Sequence, residues 1–176
     1  MPFQTTSGIH AFHRRWVLLP LSLIALGGCN YGFSGGGLDS NIRTIFIQPF
    51  ENTTSWFDLE AELYEELSRK LPGQLGLNLG SEDNADAMLR GSITRYDDAA
   101  RTQPGDAGAI QVVEHQVQIV VSVELIDRRN NVIVWDASSL TGRGEYRPDS
   151  QTDEVARQEA LESILEQIVN GAQSRW

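Results

Sequence analysis

The 176-residue chain has one cysteine, three histidines and few basic side chains, with 14 Lys+Arg against 24 Asp+Glu. This excess of acid argues against a general attraction for nucleic acid or anionic membranes. A lone cysteine cannot form an internal disulfide or a cysteine-ligated metal cluster. HExxH and GK[ST] motifs are missing as well. Because no catalytic constellation is apparent, we expect a protein that is not an enzyme and needs no cofactor.

The only long apolar run lies near the N-terminus and has the order of an export signal. Residues 13–15 are basic at two positions, residues 16–26 are apolar, and two glycines then precede Cys29. Pro20 and the shortness of the run argue against a membrane-spanning helix, which needs about 20 apolar residues. The Leu-Gly-Gly-Cys sequence resembles the lipobox of bacterial lipoproteins, in which the cysteine is lipidated. An ordinary secretory signal with a chance cysteine is the alternative.

The lipobox divides the chain into three parts. We expect residues 1–28 to be removed as a signal peptide and Cys29 to carry acyl chains such as palmitate. The remaining 148 residues (176 − 28) would keep 12 Lys+Arg and 24 Asp+Glu, a net charge of −12 (12 − 24). Residues 29–41 include three consecutive glycines and are predicted to be a flexible tether. Residues 42–176 suffice for one domain with its own core.

The first half of that domain is predicted to alternate strands and a helix. Residues 42–50 form a β-rich run that predicts a buried strand. Thr54 or Ser55 is expected to cap an amphipathic helix that ends before Pro72. Residues 75–79 weakly predict a short strand and residues 87–96 a further one. Residues 97–108 are polar and rich in Gly, Pro and Asp, which predicts a mobile connection.

The second half contains the clearest strand pattern of the chain. Residues 113–125 alternate apolar and polar side chains, so one face should meet a core and the other water or a polar partner. His115 falls on the apolar face and is interpreted as a packed or edge histidine. Residues 127–131 predict a hairpin tip and residues 132–140 its return strand. Ser150 or Thr152 should cap a final helix with this apolar stripe: Val155, Leu161, Ile164, Leu165, Ile168 and Ala172.

This order of elements predicts an α+β fold, with two helices on one face of a mixed or antiparallel sheet of about four strands. Arg128 and Arg129 at the hairpin tip form the one compact basic site, and arginine forks suit phosphates. A solvated tip is the alternative. Two acidic pairs, Asp97-Asp98 and residues 65–66, are interpreted as solvated, the first in a loop and the second on the wet side of a helix.

Several ordered segments resemble the LptE family of lipopolysaccharide-assembly lipoproteins. They are residues 28–33 (GCNYGF), 42–54 (IRTIFIQPFENTT), 85–93 (ADAMLRGSI) and 132–135 (VIVW). The resemblance implies a non-enzymatic plug inside the outer-membrane barrel LptD that assists lipopolysaccharide transport and binds lipopolysaccharide. Asn30, directly after the cysteine, implies the outer membrane. The acidic composition and the Arg-Arg-Asn-Asn tip depart from the family, so tip contacts are not carried over.

A second class of lipoprotein shares part of this pattern. The PFENTT segment at residues 49–54 is similar to periplasmic lipoproteins of the CsgG and LpoB type, which form secretion pores or activate peptidoglycan synthases. The start at Gly28 and the Ala-Asp-Ala segment at residues 85–87 favour the LptE family. Copurification with a barrel, rather than with a synthase or a homo-oligomeric ring, would separate the two hypotheses.

Overall fold

The computed structural model describes residues 41–104 and 110–174. The predicted signal peptide, Cys29 and nearly all of the predicted tether lie outside these described residues. Eight elements follow one another in chain order: β1 Thr44–Ile47, β2 Glu51–Asn52, α1 Leu59–Leu75, β3 Asn78–Leu79, β4 Ala87–Pro104, β5 Ile110–Asp127, β6 Val132–Tyr146 and α2 Asp153–Ser174.

The strands form one mixed sheet in the order β3-β1-β4-β5-β6, with β2 also paired to β4. β1 and β2 run parallel to β4, and β1 runs parallel to β3, whereas the β4–β5 and β5–β6 pairs are antiparallel. The predicted α+β fold with two helices is therefore confirmed. The described sheet has six strands rather than about four. The predicted strand over residues 42–50 is shorter and forms only β1, while β2 is a separate short strand after Pro49 and β3 is a short strand after α1.

The core lies between the helices and one face of this sheet. On β5 the odd-numbered side chains from Val117 to Leu125 are at most 1% exposed, as the alternation predicts. The helices meet them with leucines of α1 and with alanines and isoleucines of α2, whose fully buried members include Leu59, Leu63, Leu67, Leu71, Ala156, Ala160, Ile164 and Ile168. Burying this continuous apolar layer drives the domain to fold.

Two glycines let α2 lie directly on β6. A Cβ atom added at Gly142 would overlap the carbonyl oxygen of Ala160, and one at Gly144 would overlap that of Ala156. Only residues without a side chain allow the helix backbone to approach the strand this closely. The Gly-x-Gly spacing places both contacts on the same face of β6, since successive strand residues alternate sides.

The ends of α1 differ from the prediction. Neither Thr54 nor Ser55 caps it: Asp58 precedes the helix without a side-chain cap, and Asn52 Oδ1 instead accepts the Thr54 N–H at 2.9 Å. The helix also continues past Pro72, whose ring is buried. It ends at Gly76, which has a left-handed φ of 70° and stops the helix more effectively than a proline already inside its last turns.

Two further expectations are wrong. Residues 97–104 do not form a mobile connection but continue β4, because β5 is long enough to pair with them from Asp97↔Gln118 onward; residues 105–109 lie outside the described part. Val155 was expected on the buried stripe of α2 but is 37% exposed. The helix buries Ala156 and Ala160 instead, since these face the two glycines of β6.

Candidate functional site

The face of the sheet that points away from the helices is polar and internally paired. Arg90 on β4 lies opposite Glu124 on β5, with Nη2 2.6 Å from Oε2. One row along, Ser92 Oγ and Ser122 Oγ are 2.8 Å apart. Such cross-strand pairs satisfy the polar groups without a ligand. The face therefore offers a preformed polar surface rather than a set of reactive groups.

Small side chains leave an open cavity of about 700 Å³ across this face and the β2 edge. Its carboxylates outnumber its cations, because Arg90 is the one basic side chain in the lining and already pairs with Glu124. The other acids are Glu51, Glu60 and Asp136. A surface of this charge suits polar or cationic partner groups and disfavours an anionic ligand.

The predicted hairpin tip is confirmed and is built around Asp127. This buried carboxylate accepts hydrogen bonds from Arg129 N (2.8 Å), Asn130 N (3.1 Å) and Asn130 Nδ2 (2.7 Å). Burial alone would raise the pKa of Asp127, but these donors outweigh it and lower the pKa below its usual range. Asn131 has φ 53°, the left-handed conformation that asparagine tolerates in tight turns.

Asp86 connects this tip to the beginning of the sheet. Its Oδ2 accepts hydrogen bonds from the Arg43 and Thr44 backbone N–H groups at 2.9 and 3.1 Å, while Oδ1 lies 2.8 Å from Arg129 Nε. The Arg43 N–H is the largest influence, and despite some desolvation the donors lower the pKa of Asp86 to about 2. The carboxylate is thus ionised at any physiological pH and holds Arg129 in place.

Arg128 is also bound back to the protein. Its guanidinium donates to the backbone carbonyl of Glu82 and, at 3.5 Å, to that of Ala85. Arg128 and Arg90 both line a cavity of about 400 Å³ with Met88, Ile126, Asn131, Val132 and Ile133. The structure therefore places the two predicted tip arginines side by side on an exposed turn, each with an intramolecular partner that the sequence did not indicate.

His115 is partly buried on the helix side of β5, and its partners were missed from the sequence. Nδ1 lies 2.8 Å from Asp98 Oδ1 and 3.2 Å from the Tyr146 hydroxyl, which donates to Asp98 Oδ2 at 2.9 Å. Burial, followed by the hydrogen bond to Asp98, raises the pKa of Tyr146 to about 12. Asp97 and Asp98 are exposed, as expected, but they lie on β4 rather than in a loop, and Asp98 joins β4, β5 and β6.

In the second acidic pair Glu65 is exposed, as expected, whereas the expectation is wrong for Glu66, which is only 5% exposed. Lys70 Nζ lies 2.7 Å from Oε1, and Arg69 pairs with Oε2. Burial would raise the pKa of Glu66, but these two cations lower it. A carboxylate held ionised in this way is a structural ion-pair partner and is poorly suited to act as a general acid.

Arg157 is a buried charge that sequence reasoning overlooked. It is 7% exposed, lies 3.0 Å from Glu62 Oε2, pairs with Asp153, and has its Cζ 4.7 Å from the centre of the Trp56 ring. Burial would lower the pKa of Arg157, yet the two carboxylates raise it. The pair with Glu62 joins α2 to α1, the pair with Asp153 lies within α2, and the cation–π contact joins α2 to the segment that precedes α1.

No group of three His, Cys, Asp or Glu side chains that could hold a metal ion occurs in the described ranges. Within the same ranges, none of the helices is long and apolar enough to cross a membrane. Among the described residues, the titratable side chains discussed above are engaged in ion pairs and hydrogen bonds inside the domain.

The structure is a small α+β domain with an open polar sheet face and an ordered hairpin tip. A family model described as "LptE: Lipopolysaccharide-assembly" matches residues 42–174. The chain therefore belongs to the LptE family, as the ordered sequence segments indicated. The match begins at the first strand and ends with α2, so it includes the whole described domain.

Solved structures of similar fold come from several bacteria. A minor lipoprotein from Acinetobacter baumannii is 15% identical over 76% of this chain and 94% of its own, with a TM-score of 0.45. A hypothetical protein from Chlamydia trachomatis is 14% identical over 75% and 99%, with a TM-score of 0.49. A lipoprotein from Neisseria meningitidis is 13% identical over 73% and 99%, with a TM-score of 0.44. No curated protein matches the chain.

Proposed function

We propose that this LptE-family protein is a non-enzymatic outer-membrane lipoprotein that plugs an LptD-like barrel and assists lipopolysaccharide transport to the outer leaflet. The observation that carries the proposal is the family match over residues 42–174. A plug needs a rigid shape and a compatible surface rather than a reactive group. The buried Arg157 pairs and the close α2–β6 packing are consistent with such rigidity.

The charge of the domain bears on the partner. The cavity at the open sheet face and the β2 edge is lined by Glu51 of β2, Glu60 of α1 and Asp136 of β6, and its one arginine already pairs with Glu124. A barrel lumen, or a periplasmic domain beside it, that presents basic groups would complement this surface and favour correct docking. The proposal therefore includes a basic contact region on the partner.

The anchor and the lipopolysaccharide contact belong to the same proposal. Cys29 would carry the acyl chains that hold the protein to the outer membrane, facing the periplasm, after removal of residues 1–28. Arg128 and Arg129 would contact phosphate groups of lipopolysaccharide from the hairpin tip. Arg128 is the stronger candidate, because its partners are neutral carbonyls whereas Arg129 is neutralised by Asp86.

Copurification from membranes tests the main proposal. We expect an affinity-tagged chain to retain the LptD barrel, and depletion of the chain to impair barrel assembly and surface lipopolysaccharide. A variant with Val121→Asp, which puts a charge in the core, is a matched control because it should lose the barrel by unfolding. Retention of a peptidoglycan synthase or a homo-oligomeric ring, with normal lipopolysaccharide after depletion, would contradict the proposal.

A further inference from the structure

One end of the sheet collects the exposed apolar side chains nearest to the predicted tether. Strand register places the starts of β1, β3, β4 and β6 and the end of β5 together, through the pairs Thr44↔Asn78, Ile45↔Ala87, Ala87↔Asp127 and Asp127↔Val132. Leu79, Val132 and Ile133 lie at this end and are 53%, 49% and 53% exposed. We call these three side chains, with Arg43, Arg128 and Arg129, the tether-end surface.

The chain enters the domain at this end, since Asn41 precedes β1 by three residues. The 12 residues 29–40 can span at most about 40 Å. Phe57, an aromatic side chain that is 87% exposed, lies just before α1, and this helix runs 17 residues back toward β3, or about 25 Å. A lipid at Cys29 would therefore keep the tether-end surface nearer to the bilayer than Phe57.

The two ends of the sheet also differ in charge, and this difference likewise favours the tether end as the one nearer to the membrane. At the tether end the exposed Arg43 and Arg128 are balanced by Glu82 and Asp83, because Arg129 and Asp86 neutralise each other and Asp127 is buried. At the opposite end, where β4, β5 and β6 continue and both helices start, acids predominate. They are Asp97, Asp98, Glu114, Glu145, Asp149, Asp153 and Glu154, against Arg95, Arg101, Arg147 and the buried Arg157 that pairs with Asp153. An anionic headgroup layer would repel the acidic end far more than the tether end.

We propose that, before it joins its barrel, the protein docks its tether-end surface on the phospholipid headgroups of its own membrane. Val132, Ile133 and Leu79 contact the interfacial region, while the arginines face lipid phosphates. The occupant is a phospholipid surface, because apolar side chains, exposed arginines and the attachment point of the tether coincide at one end. The inference rests on the proposed lipid anchor at Cys29.

Site-specific fluorescence on the lipidated full-length chain tests this docking. If Cys29 is acylated, Ile133→Cys and the control Phe57→Cys each introduce the only free thiol, which can take a polarity-sensitive dye. The proteins are placed in vesicles of phosphatidylethanolamine with a minority of phosphatidylglycerol. We expect the dye at position 133 to be blue-shifted and about threefold less quenched by acrylamide than the dye at position 57. Arg128→Glu should reduce this protection.

The outcomes separate the docking from the anchor. A chain that does not float with vesicles and takes two dyes has an unmodified Cys29, which overturns the anchor and the docking together. A chain that floats but shows equal quenching at both positions overturns the docking alone. Protection that arises only after lipopolysaccharide or the barrel is added also overturns it, and assigns the surface to that partner.

Discussion

Asp86 and Arg129 are 43 residues apart in sequence, yet Arg129 Nε lies 2.8 Å from Asp86 Oδ1. The other carboxylate oxygen accepts the Arg43 and Thr44 N–H groups. One side chain therefore joins the start of β1, the start of β4 and the β5–β6 hairpin tip. Three elements that are distant in the chain are fixed at the end from which the tether departs.

Replacing Asp86 by Asn should lower the unfolding midpoint at neutral pH, because the carboxylate loses its charge-assisted hydrogen bonds. The pKa of Asp86 is lowered to about 2 from an ordinary 3.8. Its contribution is therefore fully present above about pH 4 and is lost as the pH falls through 2. Urea unfolding of both proteins at several pH values should show their difference shrinking below pH 4. A difference that stays constant to pH 2 would rule out the ionised carboxylate as its source.

The two faces of β5 should respond differently to substitution. Val121 is fully buried, so Val121→Asp places an unpaired charge in the core and should cost about 3–5 kcal/mol or prevent folding. Gln118 lies on the open face, and Gln118→Ala should change stability by no more than about 0.5 kcal/mol. Circular dichroism during urea unfolding measures both. Equal losses would mean that the open face is buried in the folded protein.

The close packing of α2 on β6 predicts that the effect of a Gly→Ala substitution on stability depends strongly on its position. At Gly142 an added methyl group overlaps the Ala160 carbonyl oxygen, so Gly142→Ala should destabilise by about 1–3 kcal/mol. Gly73, inside α1, has nothing within 4 Å of an added Cβ. There the same change should stabilise by up to about 1 kcal/mol, because alanine favours helix. Thermal unfolding of the two variants is the measurement, and a neutral Gly142→Ala would show that α2 can shift away.

Local patterns predicted the parts of this fold that local physics determines. The alternation of β5 identified its buried face, and the run of Asp, Arg and Asn at residues 127–131 identified the hairpin tip. Strand 97–104 could not be recognised in this way, since its polar side chains are tolerated only because β5 pairs with that segment. The predicted end of α1 before Pro72 is wrong because burial of the proline ring in the folded domain outweighs the loss of one helical hydrogen bond.

The contacts around the candidate sites could not be predicted from the sequence, because they also join residues that are distant in the chain. Tyr146 and Asp98 are 48 residues apart and Arg157 and Glu62 are 95 residues apart. A single sequence gives the side-chain types but not which distant ones the topology brings together. Tyr146 and Arg157, which have central roles in these clusters, therefore carried no local signal.

Neutralising Arg128 and neutralising Arg129 should have different effects on stability and on lipopolysaccharide binding. Arg129→Gln removes the partner of Asp86 and should lower the unfolding midpoint, whereas Arg128→Gln loses only contacts to backbone carbonyls. If Arg128 holds a lipopolysaccharide phosphate, its loss should reduce lipopolysaccharide crosslinking while barrel copurification and the unfolding midpoint stay unchanged. Asn131 is uncharged and lies on the same turn, so a crosslinker placed at this position serves as a matched control for those at the arginines. Unchanged crosslinking in both variants would show that neither arginine holds lipopolysaccharide, with Arg129 a structural part of the tip and Arg128 a solvated one.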